Sequence, residues 1–293
     1  MWSESRVRLA VIVPVWGNWH DTAECLHSLS LQTAKNFSVI VADDGSPEPP
    51  PRDLWSTDSV TYVRYPHRGF VATCNAAAEG AMGRGASHLF FLNSDTVCPE
   101  DLIEGSLSTI ERSPEAIISP IVYCHDQPAR VWYSGGRLGV LTPFARCRKV
   151  YSSIIEVDIV SGCAIIVPAT CWKELGGFDA RYVTYYEDFD FALRARECGI
   201  SVCVDPRLRV LHKGSASFRG EGIWPQQYLL LSGSLIFIRR HYRGLTRIVC
   251  LCLKPLHIMA VLVLNLPRLP NFGLLWKAWV RGLTVPVRGQ GGG

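Results

Sequence analysis

Acidic residues are missing from the last part of this chain: no Asp or Glu occurs after Glu221, whereas nine Lys and Arg follow it, from Arg239 to Arg288. All 26 acidic groups therefore share the first 221 positions with 21 of the 30 basic ones, so a net charge of +4 divides into a mildly acidic body and a basic tail. A CxxC pair is also absent. The 11 cysteines are scattered, with Cys250 and Cys252 the one close pair, and an odd count without paired spacing argues against both a disulfide framework and a structural zinc site. Reduced thiols in a cytosol fit this pattern. No run of about eighteen apolar residues free of charge occurs, which argues against a spanning helix. Glu4 and an early strand-like run at Leu9 leave no room for a signal peptide, so none is expected. No internal repeat exists, and the only low-complexity tract is Gly291-Gly292-Gly293. What remains, 293 residues at 48% hydrophobic, suffices for one large domain with an appendage, and the loss of acidic residues sets the expected boundary: 1–221 and 222–293.

The N-terminal half alternates between short apolar runs and helical patterns. Leu9–Val15 is nearly all apolar, as a strand buried on both faces would be. Asp21 with Glu24 three positions on reads as a capping box before Leu26, Leu29 and Leu31. Strands are expected at Phe37–Ala42, Val60–Tyr65 and His88–Leu92, and helices at Phe70–Met82 and Pro99–Arg112, where Pro stands at the start. Such alternation predicts an α/β fold with a parallel sheet and right-handed crossovers. Residues 123–158 are loop-rich, and Trp132-Tyr133 and Gly135-Gly136 suggest an inserted hairpin or flap. Ser161–Val167 reads as a further strand and Glu187–Cys198 as a helix.

Carboxylates gather at the ends of these elements. Asp43-Asp44-Gly45-Ser46 follows the second strand, Asn93-Ser94-Asp95 the fourth, and Glu187, Asp188 and Asp190 crowd together between Tyr185-Tyr186 and the apolar run of a helix. Each has a plain reading, a β-turn for the first and an acidic first turn complementing a helix dipole for the last. In an open α/β sheet, however, ligands bind at the carboxyl ends of strands. Like-charged neighbours there raise one another's pKa and repel, so such a cluster points to a job, as a general base or a cation ligand.

In order and spacing these blocks resemble the family 2 inverting glycosyltransferases of GT-A fold, near the rhamnosyltransferase-like branch. The resemblance runs over about residues 7–220, through Val11-Ile12-Val13-Pro14-Val15, Ser28-Leu29-Ser30-Leu31-Gln32-Thr33, Val41-Ala42-Asp43-Asp44-Gly45-Ser46, Leu92-Asn93-Ser94-Asp95-Thr96, Ser161-Gly162, Gly176-Gly177-Phe178-Asp179, Tyr186–Asp190 and Leu193-Arg194-Ala195-Arg196. It implies a Rossmann-like, mostly parallel sheet flanked by helices, and a sugar transferred with inversion from a UDP- or dTDP-sugar. By that resemblance Pro14, Val15, Asp43, Asp44, Gly69, Asn75, Asn93, Ser94 and Asp95 form the nucleotide-sugar site, with Asp43 accepting from the pyrimidine ring NH. Asp95 would hold a divalent cation, Mg²⁺ or Mn²⁺, on the diphosphate, and His212 matches a metal- or diphosphate-binding histidine, with Lys213 as a phosphate neighbour. Asp188 takes the place of the catalytic base, and Glu187 and Asp190 would orient it or touch the acceptor. Two positions depart from the pattern. The metal motif reads Asn-Ser-Asp, one carboxylate short, and His67-Arg68 precedes Gly69 where Asn is commoner.

The apolar, basic region after residue 221 is expected to be helical. It reads as a helix lying in a membrane interface with Trp276 and Trp279 at headgroup depth, or as helices packed on the body with solvated arginines. No nucleic-acid motif accompanies the basic charge, so nucleic acid is not an expected partner. The function expected is transfer to a polysaccharide or lipid-linked glycan, by a cytoplasmic enzyme peripheral at the inner membrane face, with specificity in the loops 123–158 and 213–228. A nucleotidyltransferase and an inactive membrane-associated scaffold are the alternatives. The first would carry a Gly-rich basic loop where Trp16-Gly17-Asn18-Trp19 stands.

Overall fold

The computed structural model describes residues 7–52, 54, 60–139, 145–146, 148–214, 223–264 and 271–287. The expected boundary between residues 221 and 222, the 215–222 part of the second specificity loop and the terminal glycines lie outside the described residues. In chain order the elements are β1 (Leu9–Val15), α1 (Trp19–Ser30), β2 (Phe37–Asp43), β3 (Val60–Arg64), α2 (Phe70–Gly83), β4 (His88–Leu92), β5 (Thr96–Val97) and α3 (Leu102–Arg112). Then come β6 (Ile117–Cys124), β7 (Val131–Tyr133), β8 (Gly136–Arg137), β9 (Ala145–Arg146), β10 (Ile155–Glu156), β11 (Ala164–Pro168), α4 (Ala169–Leu175), α5 (Glu187–Glu197) and β12 (Val202–His212). Three helices close the chain: α6 (Ile223–His241), α7 (Gly244–Leu264) and α8 (Phe272–Thr284).

All seven residues of β1 are buried, because the strand lies at the centre of the sheet and is covered on both faces. Leu9, Val11 and Val13 point into the layer shared with α1 and α3, and Ala10 and Ile12 into the layer shared with α2, α4 and α5. The sheet order is β10-β12-β6-β11-β4-β1-β2-β3. β3, β2, β1 and β4 are parallel, as the alternation predicts. Beyond β4 the rule fails: β11 runs antiparallel to β4 and β6, while β12 is parallel to β6. The sheet is therefore mixed, with a parallel half that carries the switch point. The chain leaves β1 toward β2 and β3 and later returns to its other side with β4, so a crevice opens where β1 and β4 end.

Local differences from the sequence reading have physical causes. α1 starts at Trp19, and its N-cap Asn18 makes no side-chain cap bond. Asp21 and Glu24 do not form a capping box, because Lys213 Nζ draws both, at 2.6 Å each. The strand expected from Ser161 begins only at Ala164. The intervening backbone bonds elsewhere: Gly162 N–H donates to Asp188 at 2.6 Å, and Asn93 N–H donates to the Cys163 carbonyl at 2.9 Å. α3 starts at Leu102 rather than at Pro99.

The last helices pack on the body. Ile236, Phe237 and Ile238 of α6 are fully buried in the same layer as Phe178 and Phe191. α8 packs Leu275 and Ala278 onto Leu231 and Leu235 of α6. The approach is close enough that a Cβ on Gly282 would stand 2.6 Å from Leu235 Cβ. Among the described residues no helix is long and apolar enough to cross a membrane. Even so, Leu245, Ile248, Leu253, Leu256 and Met259 of α7 and Phe272 and Trp276 of α8 are exposed.

Candidate functional site

A cavity of about 960 Å³ occupies the crevice at the switch point. Its walls come from the ends of β1 and β4, the loop before α2, the 161–163 loop, the first turn of α5, His212 at the end of β12, and the start of α6. Pro14, Val15, Asp44, Gly69, Asn93, Ser94, Asp95, Glu187, Asp188 and His212, all singled out from the sequence, line it together.

Three others do not. Asp43 ends β2 with no exposure and stands behind the wall, its Oδ1 accepting from Ser46 N and Oγ and its Oδ2 from Tyr62 OH at 2.7 Å. With both oxygens held inside, it fixes the strand end and does not line the cavity. Its neighbour Asp44 faces the cavity and gathers the next loop. Its carboxylate accepts from Arg68 N, Gly69 N and Thr73 Oγ1 and lies 3.0 Å from His67 Nδ1. Asn75 bridges α2 to the turn before α5, donating to the Phe178 carbonyl and accepting from Phe178 N, and so also points away. Gly69 does line the cavity, at φ +93°, and a Cβ there would come within 2.6 Å of Val183 Cγ1. Only glycine fits that approach without strain.

Asp190 is the third residue that does not line the cavity. It sits one helical turn from the cavity residues but points into the core with no exposure. There its carboxylate meets Arg194 Nε at 2.8 Å, Arg240 Nε at 2.9 Å and His241 Nε2 at 2.8 Å. Burial opposes its charge, but the bond from His241 and the nearby guanidiniums of Arg194 and Arg240 prevail and hold its pKa below the usual carboxylate value.

The residues before α5 set up the other two carboxylates. Tyr185 and Tyr186 both adopt left-handed backbone, φ 66° and 76°, which costs a non-glycine residue on the order of 1 kcal/mol or more. Packing against α6 pays for it: Tyr185 OH accepts from Gln226, and Tyr186 lies against Phe237 and so close to Gly233 that a Cβ there would stand 3.0 Å away. The strained turn aims Glu187 and Asp188 into the cavity. Asp188 Oδ2 accepts from Gly162 N at 2.6 Å, a contact that glycine permits because a Cβ there would sit 3.2 Å from Asp188 Cβ. Glu187 is buried, and its Oε2 has no hydrogen-bond partner. Burial, with Asp188 and Asp190 adding their charge, pushes its pKa well above the ordinary value.

Opposite stand Asp95 and His212, with Nε2 3.2 Å from Oδ1, the ring edge-on to Trp132 and a buried Nδ1 that lacks a hydrogen-bond partner. Burial works against the imidazolium, but the Cys163 sulfur and the Asp95 carboxylate outweigh it and lift the His212 pKa to about 11. One carboxylate, one imidazole with an orphaned nitrogen, and the oxygens of Asn93 and Ser94 make a donor set that suits a divalent cation, which would have to displace the His212 proton. Lys213 does not join them. Its Nζ pairs with Asp21 and Glu24 on the far side of the strand end. The same lysine occupies the two carboxylates of His20, Asp21 and Glu24, a trio close enough to ligate an ion.

The expected specificity segments 123–158 and 213–228 reach this cavity through Trp132, Tyr133 and Gln226, whereas Leu229 and Leu230 lie just beyond them. Gln226, Leu229 and Leu230 of α6, with Tyr133, Tyr185, Tyr186 and Phe189, give the cavity an aromatic and aliphatic side facing its polar one. The one available signal was the Trp132-Tyr133 pair, whose segment was read as a flap. Nothing in Leu229 and Leu230 themselves marks them as part of a site 40 residues upstream.

Comparison with known proteins bears on the family and the fold. A family model described as Glycosyl transferase family 2 matches residues 10–167, more than half of the chain. The chain is 28% identical over 224 residues to the N-acetylglucosaminyl-diphospho-decaprenol L-rhamnosyltransferase of Mycobacterium tuberculosis, covering 64% of this chain and 70% of that protein. Among solved structures it is similar to GalNAc-T7, in a crystal with UDP, GalNAc and Mn²⁺. The TM-score is 0.61 at 14% identity, over 78% of this chain and 48% of that one. It is similar also to residues 1–349 of S. aureus TarS, with a TM-score of 0.54 at 16% identity over 81% and 67% of the two chains. The architecture expected from the resemblance, a mostly parallel sheet flanked by helices, is shared with both.

Proposed function

The chain belongs to glycosyl transferase family 2, and from that premise we propose that it moves a hexose, rhamnose-like in class, with inversion from a UDP- or dTDP-sugar to a polysaccharide or lipid-linked glycan. The mycobacterial relative, named an L-rhamnosyltransferase acting on a lipid-linked N-acetylglucosamine, supports that donor and acceptor class. The observation that carries the reading is the convergence of Glu187 and Asp188 with the Asp95–His212 pair on one cavity at the switch point.

Asp188 is the base in this reading. Its carboxylate takes the proton of an acceptor hydroxyl as that oxygen attacks the anomeric carbon. The bond from that carbon to the diphosphate oxygen breaks, and the electron pair leaves with the diphosphate. One base on one face suits a single inverting displacement, in contrast to the carboxylate pair of a glycosidase. The Gly162 and Phe189 N–H groups fix the Asp188 oxygens, and Glu187, whose buried Oε2 has no partner, hydrogen-bonds the bound sugar or acceptor. Asp44, Gly69 and the Pro14–Val15 strand end line the nucleotide side, with Asp43 and Asn75 holding that side in shape. Asp95 and His212, with Asn93 and Ser94, would hold Mg²⁺ or Mn²⁺, which when bound supplies positive charge to the departing diphosphate. Residues 1–221 act as the catalytic unit. Residues 222–293 act as a basic helical extension that rests on the inner face of the cytoplasmic membrane, where a lipid-linked acceptor resides.

The test is a thermal shift with UDP- and dTDP-sugars, with and without Mn²⁺, on the wild type and Asp95→Ala. A ligand that binds only the folded state raises the melting midpoint by mass action. A metal-enhanced shift reduced in the variant supports the reading. Absence of a shift with every pyrimidine diphosphate overturns it.

A further inference from the structure

Far from the cavity, at the other end of α6, a second hollow of about 500 Å³ is walled by Arg239, Arg247, Leu251, Leu283, Pro286 and Val287. Arg239 is held in place there: its Nη1 donates to the carbonyls of Gly282 and Val285 at 2.9 Å each, at the end of α8. Those bonds leave the guanidinium charge unneutralised. Among the described residues neither arginine has an acidic partner, and residues 222–293 contain no Asp or Glu to provide one. Burial and the charge of Arg247 together lower the pKa of Arg239, so the two cations feel each other. Two arginines turned toward one hollow without a counter-charge are held at a cost that a bound anion would relieve.

The surroundings of the hollow are apolar. Leu245 and Ile248, on the turn of α7 that bears Arg247, are 75% and 57% exposed, and Leu283 on the rim is 37% exposed. Leu253, Leu256 and Met259 continue exposed apolar surface along α7. A soluble anion would have no use for that rim, whereas a phosphate bearing acyl chains matches both the cations and the surface beside them.

We propose that the Arg239–Arg247 hollow is a headgroup site that takes the phosphate of an anionic membrane lipid, with the exposed apolar residues of α7 in the acyl boundary. The site rests on the membrane-surface reading above and gives it an address. It lies outside the transfer cavity and requires neither donor nor acceptor.

The test is co-sedimentation of the full chain with phosphatidylglycerol–phosphatidylcholine vesicles and with pure phosphatidylcholine vesicles. Wild type is compared with Arg247→Ala, Arg247→Lys and, as a control for diffuse charge, Arg243→Ala, whose side chain is exposed and outside the hollow. Arg247 is also exposed, so the variants fold, which an unchanged melting midpoint in buffer verifies. The expected result is binding to the anionic vesicles only. Arg247→Ala weakens it about tenfold, Arg247→Lys by less, and Arg243→Ala by no more than the roughly fivefold that one surface charge contributes. Equal losses for Arg243→Ala and Arg247→Ala overturn the site in favour of a diffuse basic surface. Thermal stabilisation by glycerol phosphate without vesicle binding overturns the lipid as its occupant. The nucleotide-sugar thermal shift of Arg247→Ala should equal that of wild type, so a failed lipid site leaves the transferase reading standing, and a failed donor shift leaves this one measurable.

Discussion

The two sides of the first turn of α5 carry the same chemical groups under opposite conditions. On the cavity side, Glu187 is a buried carboxyl whose Oε2 has no partner, and the Asp188 oxygens accept from the backbone N–H groups of Gly162 and Phe189. On the core side, three residues along, Asp190 is surrounded by Arg194, Arg240 and His241. Burial raises the pKa of Glu187, and burial outweighed by cations leaves that of Asp190 lowered. A motif that looks like one acidic cluster is therefore two devices. One presents carboxyls to a ligand. The other uses a carboxylate to fasten the turn to α6.

The sharpest way to break the comparison is Asp188→Asn. It keeps shape and removes the base, so kcat should fall by about 10²–10⁴ while the melting midpoint stays near wild type. A steady-state assay paired with thermal denaturation reads both, and retained turnover would remove Asp188 from the chemistry. Asp190→Ala should do the reverse in kind. It removes the carboxylate that Arg194, Arg240 and His241 share in the core, leaving Arg240 with Asp179 and Arg194 with the Leu175 and Gly177 carbonyls, at a cost of about 3 kcal/mol, or a midpoint lower by roughly 10 °C. Urea denaturation checks it. A variant of native stability but reduced kcat would place Asp190 in the catalytic machinery after all.

How much of this was readable beforehand follows from how local each feature is. β1, β2 and β4 show as apolar runs, and the carboxylates at their ends show as breaks in those runs, so the crevice and most of its polar wall could be located from the sequence. The choice between Asp43 and Asp44 could not. It depends on Tyr62 in the neighbouring strand and on Ser46 in the turn, which close over Asp43 and leave its neighbour toward the cavity. The fate of Asp190 was equally hidden, because Arg240 and His241 lie 50 residues downstream in a helix that looked like an appendage. The supposed capping box failed for the same reason, since Lys213, far along the chain, claims both carboxylates. Periodicity reports which face of an element is apolar; it is silent on which distant partner meets a polar group.

The opposite pKa displacements sharpen the comparison further through pH. Asp190 binds its proton less readily when folded, so its contribution is present above the unfolded value of about 3.9 and is lost as pH falls through its lower folded value. Glu187 has the other sign. Between the unfolded value of about 4.3 and its raised folded value, the folded state keeps a proton that the unfolded chain has released, so stability declines as pH rises through that window. Glu187→Gln should therefore be more stable than wild type at pH 8, by about 1.4 kcal/mol for each pKa unit of displacement, and should lack that decline. Melting midpoints taken from pH 5 to 9 decide it. Parallel curves for the two proteins would mean that Glu187 ionises normally in the folded state.

The smallest effect comes from the neighbours His212 and Lys213, which repeat the contrast at the end of β12. His212 faces the cavity beside Asp95, whereas Lys213 turns back to Asp21 and Glu24. Glu24 is 44% exposed, so that pair is screened by water, while Asp21 at 11% is better shielded. Lys213→Ala should accordingly cost only about 1 kcal/mol of stability and leave the donor KM within twofold of wild type. A lysine that reached a phosphate would behave differently, because removing a charge-assisted bond to the donor would raise KM tenfold or more. Donor titrations at fixed acceptor distinguish the two, and a tenfold rise would move Lys213 from the outer face of the strand end into the diphosphate site.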